Sequence, residues 1–170
     1  VLNRPGISAI AALLVVATMS SCKGPSPSSV RFGYRWDDSG NVVIAYPLCP
    51  EDKVTGARIT VDQKHGGELD FKTLWSARKP VSQEVERGVF SVGTSSSFGT
   101  ENLPLRTTLP QGFYVAAEEE TVDGDPTSSR EDWVDQSVRP TSRLKPGEYV
   151  TSRGKIVSRQ WVNSQLPCNR

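Results

Sequence analysis

The sequence predicts an all-β fold, a small β-sandwich for which an immunoglobulin-like arrangement is one form, behind an apolar N-terminal helix and a flexible tether. Three observations predict it. Seven or so short stretches alternate apolar with polar residues, and turn-forming residues recur about every ten positions. No long segment beyond residue 22 repeats its apolar residues at the helical period.

The clearest element is residues 30–36, where Val30, Phe32, Tyr34 and Trp36 fall at every second position. Strand side chains alternate between faces, so these four share the core side. Asp37, Asp38, Ser39, Gly40 and Asn41 form a dense turn signal, and the β-branched residues 42–46 run back to complete a hairpin ended by Pro47. Alternation returns at residues 58–61 around Ile59 and Val61, then at Leu69, Phe71 and Trp75, with a turn at residues 63–67 between them. Residues 81–92 are less regular, but Val89 to Val92 read as a strand ended by Gly93.

Residues 94–102 are rich in Ser, Thr and Gly and read as a long loop. Residues 113–117 are a strand, and residues 118–132 read as an exposed, acidic loop around Gly124, Asp125 and Pro126. Near the end, residues 148–150 and 155–157 flank a turn containing Gly154. Ser158 is a cap for a short helix through Leu166 that turns Trp161 and Val162 inward, stopped by Pro167.

The first 22 residues have a different character. Arg4 opens them, residues 7–18 (ISAIAALLVVAT) carry no charge, and Met19, Ser20, Ser21 and Cys22 close them. A basic start, a short apolar core and small residues before a cleavage point describe an export signal. The apolar run is about a dozen residues, short of the ~20 that span a bilayer, which disfavours an uncleaved anchor. Secretory cleavage without lipid and a buried cytosolic helix are the other rivals. The first has only a loose small-residue pattern at Ala17 and Met19, and the second is followed at once by a polar, Pro-rich segment.

With Cys22 directly after Ser20 and Ser21, the stretch resembles the lipobox of bacterial lipoproteins, although Met19 stands where that family prefers leucine. The resemblance covers residues 1–22 alone. It implies a diacylglyceryl group on Cys22, cleavage just before it, and a domain held at the extracytoplasmic face of the cell membrane. The organisation expected is a signal peptide over residues 1–21, the lipidated Cys22 with a Pro- and Ser-rich tether over 22–29, and one extracytoplasmic domain over 30–170. The layout, with 13 Arg against 7 Lys, is similar to that of small uncharacterised lipoproteins of high-GC Gram-positive bacteria. On this resemblance the cysteines divide simply. Once Cys22 carries lipid, Cys49 and Cys168 remain as a pair in a compartment where disulfides persist, with two buried free thiols as the alternative.

Charge excludes one class of partner and raises another. The precursor carries a net +1, and the mature part is neutral once Arg4 leaves with the signal, so it exerts no general pull on nucleic acid. The charge is unevenly placed, however. Residues 101–138 hold nine acids against two bases, and residues 139–170 hold seven bases against Glu148. Either the two segments lie together and neutralise each other, or the basic one meets an anionic lipid or wall polymer.

Candidate chemistry is sparse. His65, the single histidine, lies in a turn-like Lys-His-Gly-Gly run and reads as exposed and structural. Ser142 with Lys145, and Ser152 with Lys155, match the S-x-x-K spacing of penicillin-binding proteins, in which a lysine takes the proton of a serine nucleophile. Neither S-D-N nor K-T-G accompanies them. Asp123 and Asp125, with the acids around them, could wrap calcium, but without EF-hand spacing. No cofactor and no catalytic residue is expected. Trp133, in a polar run, is the tryptophan expected to be exposed and to contact a partner.

The function expected is therefore a membrane-anchored, non-catalytic binding or accessory module of the cell envelope, with an envelope protein or an anionic wall polymer as partner. The alternatives are an envelope enzyme with a serine nucleophile and a solute-binding lipoprotein, for which the mature chain is short.

Overall fold

Alternation around Phe32 and Tyr34 produces the strand it calls for. The computed structural model describes residues 30–65, 68–121, 126–140 and 142–168. In it β1 (Gly33–Trp36) pairs antiparallel with β2 (Val42–Ala45), placing Gly33 opposite Ala45 and Trp36 opposite Val42. The turn between them closes on Asp37, whose Oδ1 accepts from the backbone N–H of Ser39 and Asn41 at 2.9 and 2.8 Å.

Among the described residues the strands form two antiparallel sheets of five. The first joins β1 and β2 to β5 (Val89–Ser91), β9 (Glu148–Val150) and β10 (Ile156–Ser158), in the order β10-β9-β1-β2-β5. The second contains β3 (Lys53–His65), β4 (Glu68–Pro80), β6 (Phe98–Leu103), β7 (Gly112–Glu120) and β8 (Pro126–Asp135), in the order β6-β4-β3-β7-β8. Two short helices, α1 (Gln83–Glu86) and α2 (Arg159–Asn163), complete the elements of the described residues. Ser158 caps α2 as its position demands, accepting from Trp161 N at 3.2 Å.

The sheets meet through their inner faces. Tyr34, Val42, Ile44 and Phe90 from the first sheet pack against Ile59, Trp75, Phe113, Val115 and Val134 from the second. Phe32 and Tyr34 are buried and Trp36 packs partly buried against the same core, so the stripe holds for three of its four residues; Val30, ahead of β1, is only partly buried and outside that core. Trp161 and Val162 turn to the outer face of the first sheet, where Val162 joins Ala45, Tyr149 and Val157 in a second cluster.

Two stretches read as loops are strands. Within residues 94–102, Phe98 begins β6 because its ring, 1% exposed, sits between Trp75 and Phe90 at centroid distances of 6.0 and 5.6 Å. One aromatic anchor thus holds a segment whose other residues have little strand character. Residues 118–132 are largely a hairpin arm, with β7 running to Glu120 and β8 starting at Pro126. Its inward acids are partnered: Glu119 accepts from Arg130 at 2.7 Å, and Asp132 accepts from Arg31 at 3.1 Å and from Phe32 N at 2.8 Å. A polar sequence can line a core-side edge once each charge finds its counterpart there.

Candidate anion-binding clefts

β1 carries cations on its outward positions, and the basic C-terminal segment folds back beside it. At the end of β1 lies a cleft of about 720 Å³ walled by Arg35 and Trp36 from the strand, Asp38 from the turn, and Arg139, Ser142, Arg143, Leu144 and Lys145 from the loop between β8 and β9. The loop is pinned at both ends. Asp135 accepts from the backbone N–H and hydroxyl of Ser137 at 2.9 and 2.6 Å, which holds its carboxyl below the usual carboxylate range. At the other end Glu148 accepts from Lys145 N at 2.8 Å. The one acid of residues 139–170 thus fastens the loop.

Inside the cleft, Arg139 lies over the Trp36 ring at 4.5 Å and Arg35 over Tyr149 at 5.5 Å. Two donors of these lining residues, Arg35 Nε and Trp36 Nε1, are sealed from solvent without a hydrogen-bond partner. Buried N–H groups nearly always find an acceptor, and leaving one unmade costs about 1–3 kcal/mol.

A second cleft, about 300 Å³, sits at the other end of β1 between Arg31, Thr151, Arg153, Lys155, Trp161 and Gln165. Lys155 lies 4.5 Å over the Trp161 ring. Gln165 fixes the strand's start by accepting from Arg31 N at 2.9 Å and donating to Arg31 O at 2.8 Å.

Arg31 apart, the ion pairs draw on other cations. Those among the described residues join Arg31 to Asp132, Lys53 to Glu86, Arg78 to Glu118 and Arg130 to Glu119. Acids of residues 101–138 are thus taken by Arg31, Arg78 and Arg130, and none of these pairs uses a base of residues 139–170. The mutual neutralisation of the two segments, one of the two readings of the charge pattern, does not occur through these pairs.

The residues singled out by sequence are scattered. Cys22 lies outside the described residues, and no helix among them is long and apolar enough to cross a membrane. Cys49 and Cys168 form a disulfide, Cα to Cα 5.5 Å. Trp133 lies on the outer face of the second sheet, partly covered, against Tyr114 (centroids 4.8 Å apart). Its ring lies over Gly112, where an added Cβ would come within 2.1 Å of it. Tyr114 in turn meets Phe71, which is 57% exposed, so Trp133 belongs to an aromatic row.

Ser142 is exposed on the first cleft with Lys145, on a loop rather than a helix, and Ser152 lies in the β9–β10 turn. His65 ends β3. Asp123 and Asp125 lie outside the described residues, and among those described no cluster of His, Cys, Asp and Glu could hold a metal. Sequence reasoning missed Arg35, Trp36 and Arg139 as a group. Part of a signal was present, with Arg35 on the outward side of the first strand and Arg139 in the basic segment of residues 139–170.

Fold and clefts together define a two-sheet β-sandwich with cations gathered in clefts at both ends of one strand. No family model, curated protein or solved structure matches the chain.

Proposed function

We propose that the chain is a cell-envelope lipoprotein, anchored through Cys22 at the extracytoplasmic face of the membrane, whose sandwich is a non-catalytic module binding an anionic partner. The carrying observation is that Arg139, Arg143, Lys145, Arg153 and Lys155 line two clefts, while Glu118, Glu119 and Asp132 of the acidic segment pair with Arg78, Arg130 and Arg31 instead. Convergent cations attract an anion and raise its encounter rate. The apolar run closed by Ser20, Ser21 and Cys22 supports the anchor, and two acyl chains hold a protein stably where one does not.

Membrane fractionation tests the anchor: wild type should sediment with membranes and Cys22→Ala should not. Undiminished retention of an uncleaved variant would overturn it. Ser142 and Lys145 sharing one cleft favour a second reading, a serine enzyme. A covalent serine probe that labels wild type and spares Ser142→Ala would establish that reading and displace the non-catalytic one.

A further inference from the structure

We infer that the cleft at the end of β1 is a phosphodiester-binding site, and that its occupant is a soluble polyanion with phosphate in its repeat rather than a lipid headgroup. This rests on the reading of the domain as a binding module.

Four cations, Arg35, Arg139, Arg143 and Lys145, face one acid, Asp38, across the cleft. Arg35 and Trp36 are successive strand residues, so their side chains leave β1 on opposite faces. The cleft therefore wraps the end of the strand, and the two unpartnered N–H donors belong to lining residues on its two sides. A tetrahedral phosphate offers oxygens in several directions at once, whereas a carboxylate offers two in a plane. Guanidinium groups also match phosphate geometry with paired N–H donors. Arg139, exposed and lying across Trp36, is the side chain that moves aside to open the Trp36 donor. Leu144, Pro140 and Pro146 supply an apolar wall for the carbon backbone between phosphates.

Position selects the polymer over the bilayer. The chain enters the domain at Val30, beside Arg31 and the second cleft. The first cleft lies at the other end of β1, about 17 Å further on at strand rise. An anchor at Cys22 joins the domain on the second cleft's side, so the second cleft is the nearer of the two to the point of attachment.

The full chain in neutral detergent is titrated calorimetrically with a synthetic glycerol-phosphodiester oligomer and, separately, with a hyaluronate oligomer of equal charge. The phosphodiester should bind with an affinity that falls as salt rises. Arg143→Gln with Lys145→Gln, both exposed, should weaken it about tenfold or more. Trp36→Phe, which keeps the ring and removes the donor, should weaken it while leaving the thermal transition in place.

Equal binding of hyaluronate overturns the phosphate assignment. Competition by phosphatidylglycerol vesicles but not phosphatidylcholine vesicles, at equal lipid, makes the ligand a headgroup and overturns the polymer. Binding lost with Arg153→Gln and Lys155→Gln instead moves the site to the second cleft and leaves the binding module standing. No binding to any of the anions overturns both.

Discussion

Asp132 shows how one side chain decides what an acidic segment does. Its carboxylate is 6% exposed and accepts from Phe32 N, Trp133 N and Arg31, tying β8 to the strand of the opposite sheet. Asp132→Ala would strand a backbone N–H and a half-buried guanidinium, and is expected to cost about 2–3 kcal/mol in urea denaturation. Burial raises the pKa of Asp132 against the pull of Phe32, Trp133 and Arg31, and burial likewise raises that of Glu119 against Arg130.

A carboxyl whose folded pKa is raised binds protons more tightly in the native state. Its stabilising contribution is complete below the ordinary values of 3.8 and 4.5, and is lost as pH rises through the raised values. Asp135, shifted down by Ser137, acts oppositely: its contribution is present above 3.8 and lost as pH falls. Melting temperature is therefore expected to rise as pH falls through the raised values toward the ordinary ones. Asp132→Asn with Glu119→Gln should flatten that rise in melts recorded across the range. An unchanged slope would remove the two buried acids as its cause.

At the scale of elements, the C-terminal helix is fastened by one arginine. Arg159 donates to the carbonyls of Tyr46 and Arg87, joining α2 to the ends of β2 and α1, and burial lowers its pKa. The joint needs a residue without a side chain at position 88. Gly88 has φ +85°, and an added Cβ would stand 2.8 Å from Tyr46 O and 2.9 Å from an Arg159 nitrogen. Gly88→Ala combines backbone strain with displacement of that guanidinium, for an expected loss of about 2–3 kcal/mol. Chemical denaturation measures it, and a loss below about 0.5 kcal/mol would show that the helix is held elsewhere. The same reasoning explains why β6 escaped the sequence. Its order comes from Phe98 meeting Trp75 and Phe90, partners more than six residues away in the chain.

For the whole molecule, the bond between Cys49 and Cys168 closes 119 residues and holds the chain's last segment to the opening hairpin. In the chain-entropy model a loop of that size contributes about 5 kcal/mol as an upper figure, comparable with the net stability of a small domain. The Cys49→Ala, Cys168→Ala protein is expected to unfold at clearly lower denaturant than the oxidised wild type. Non-reducing alkylation of folded wild type should modify neither cysteine, and modification of both would refute the bond. Pinning the C-terminus this way also brings the basic segment of residues 139–170 alongside β1, where both clefts arise.

The sequence by itself determined the all-β class, the opening hairpin and its inward stripe, the Ser158 cap and the cysteine pair, because each rests on local period, local turn chemistry or counting. The tertiary structure alone decided which polar residues became strands, and how the charges divided. Strands 98–103 and 126–135 exist because distant partners bury Phe98 and match Glu119 and Asp132, and no local pattern encodes a partner. The clefts were legible only in part: the excess of bases over residues 139–170 stood in the sequence. That some of them meet Arg35 and Trp36 around one strand end, while Arg31, Arg78 and Arg130 take acids of the other segment, is decided only in the folded chain.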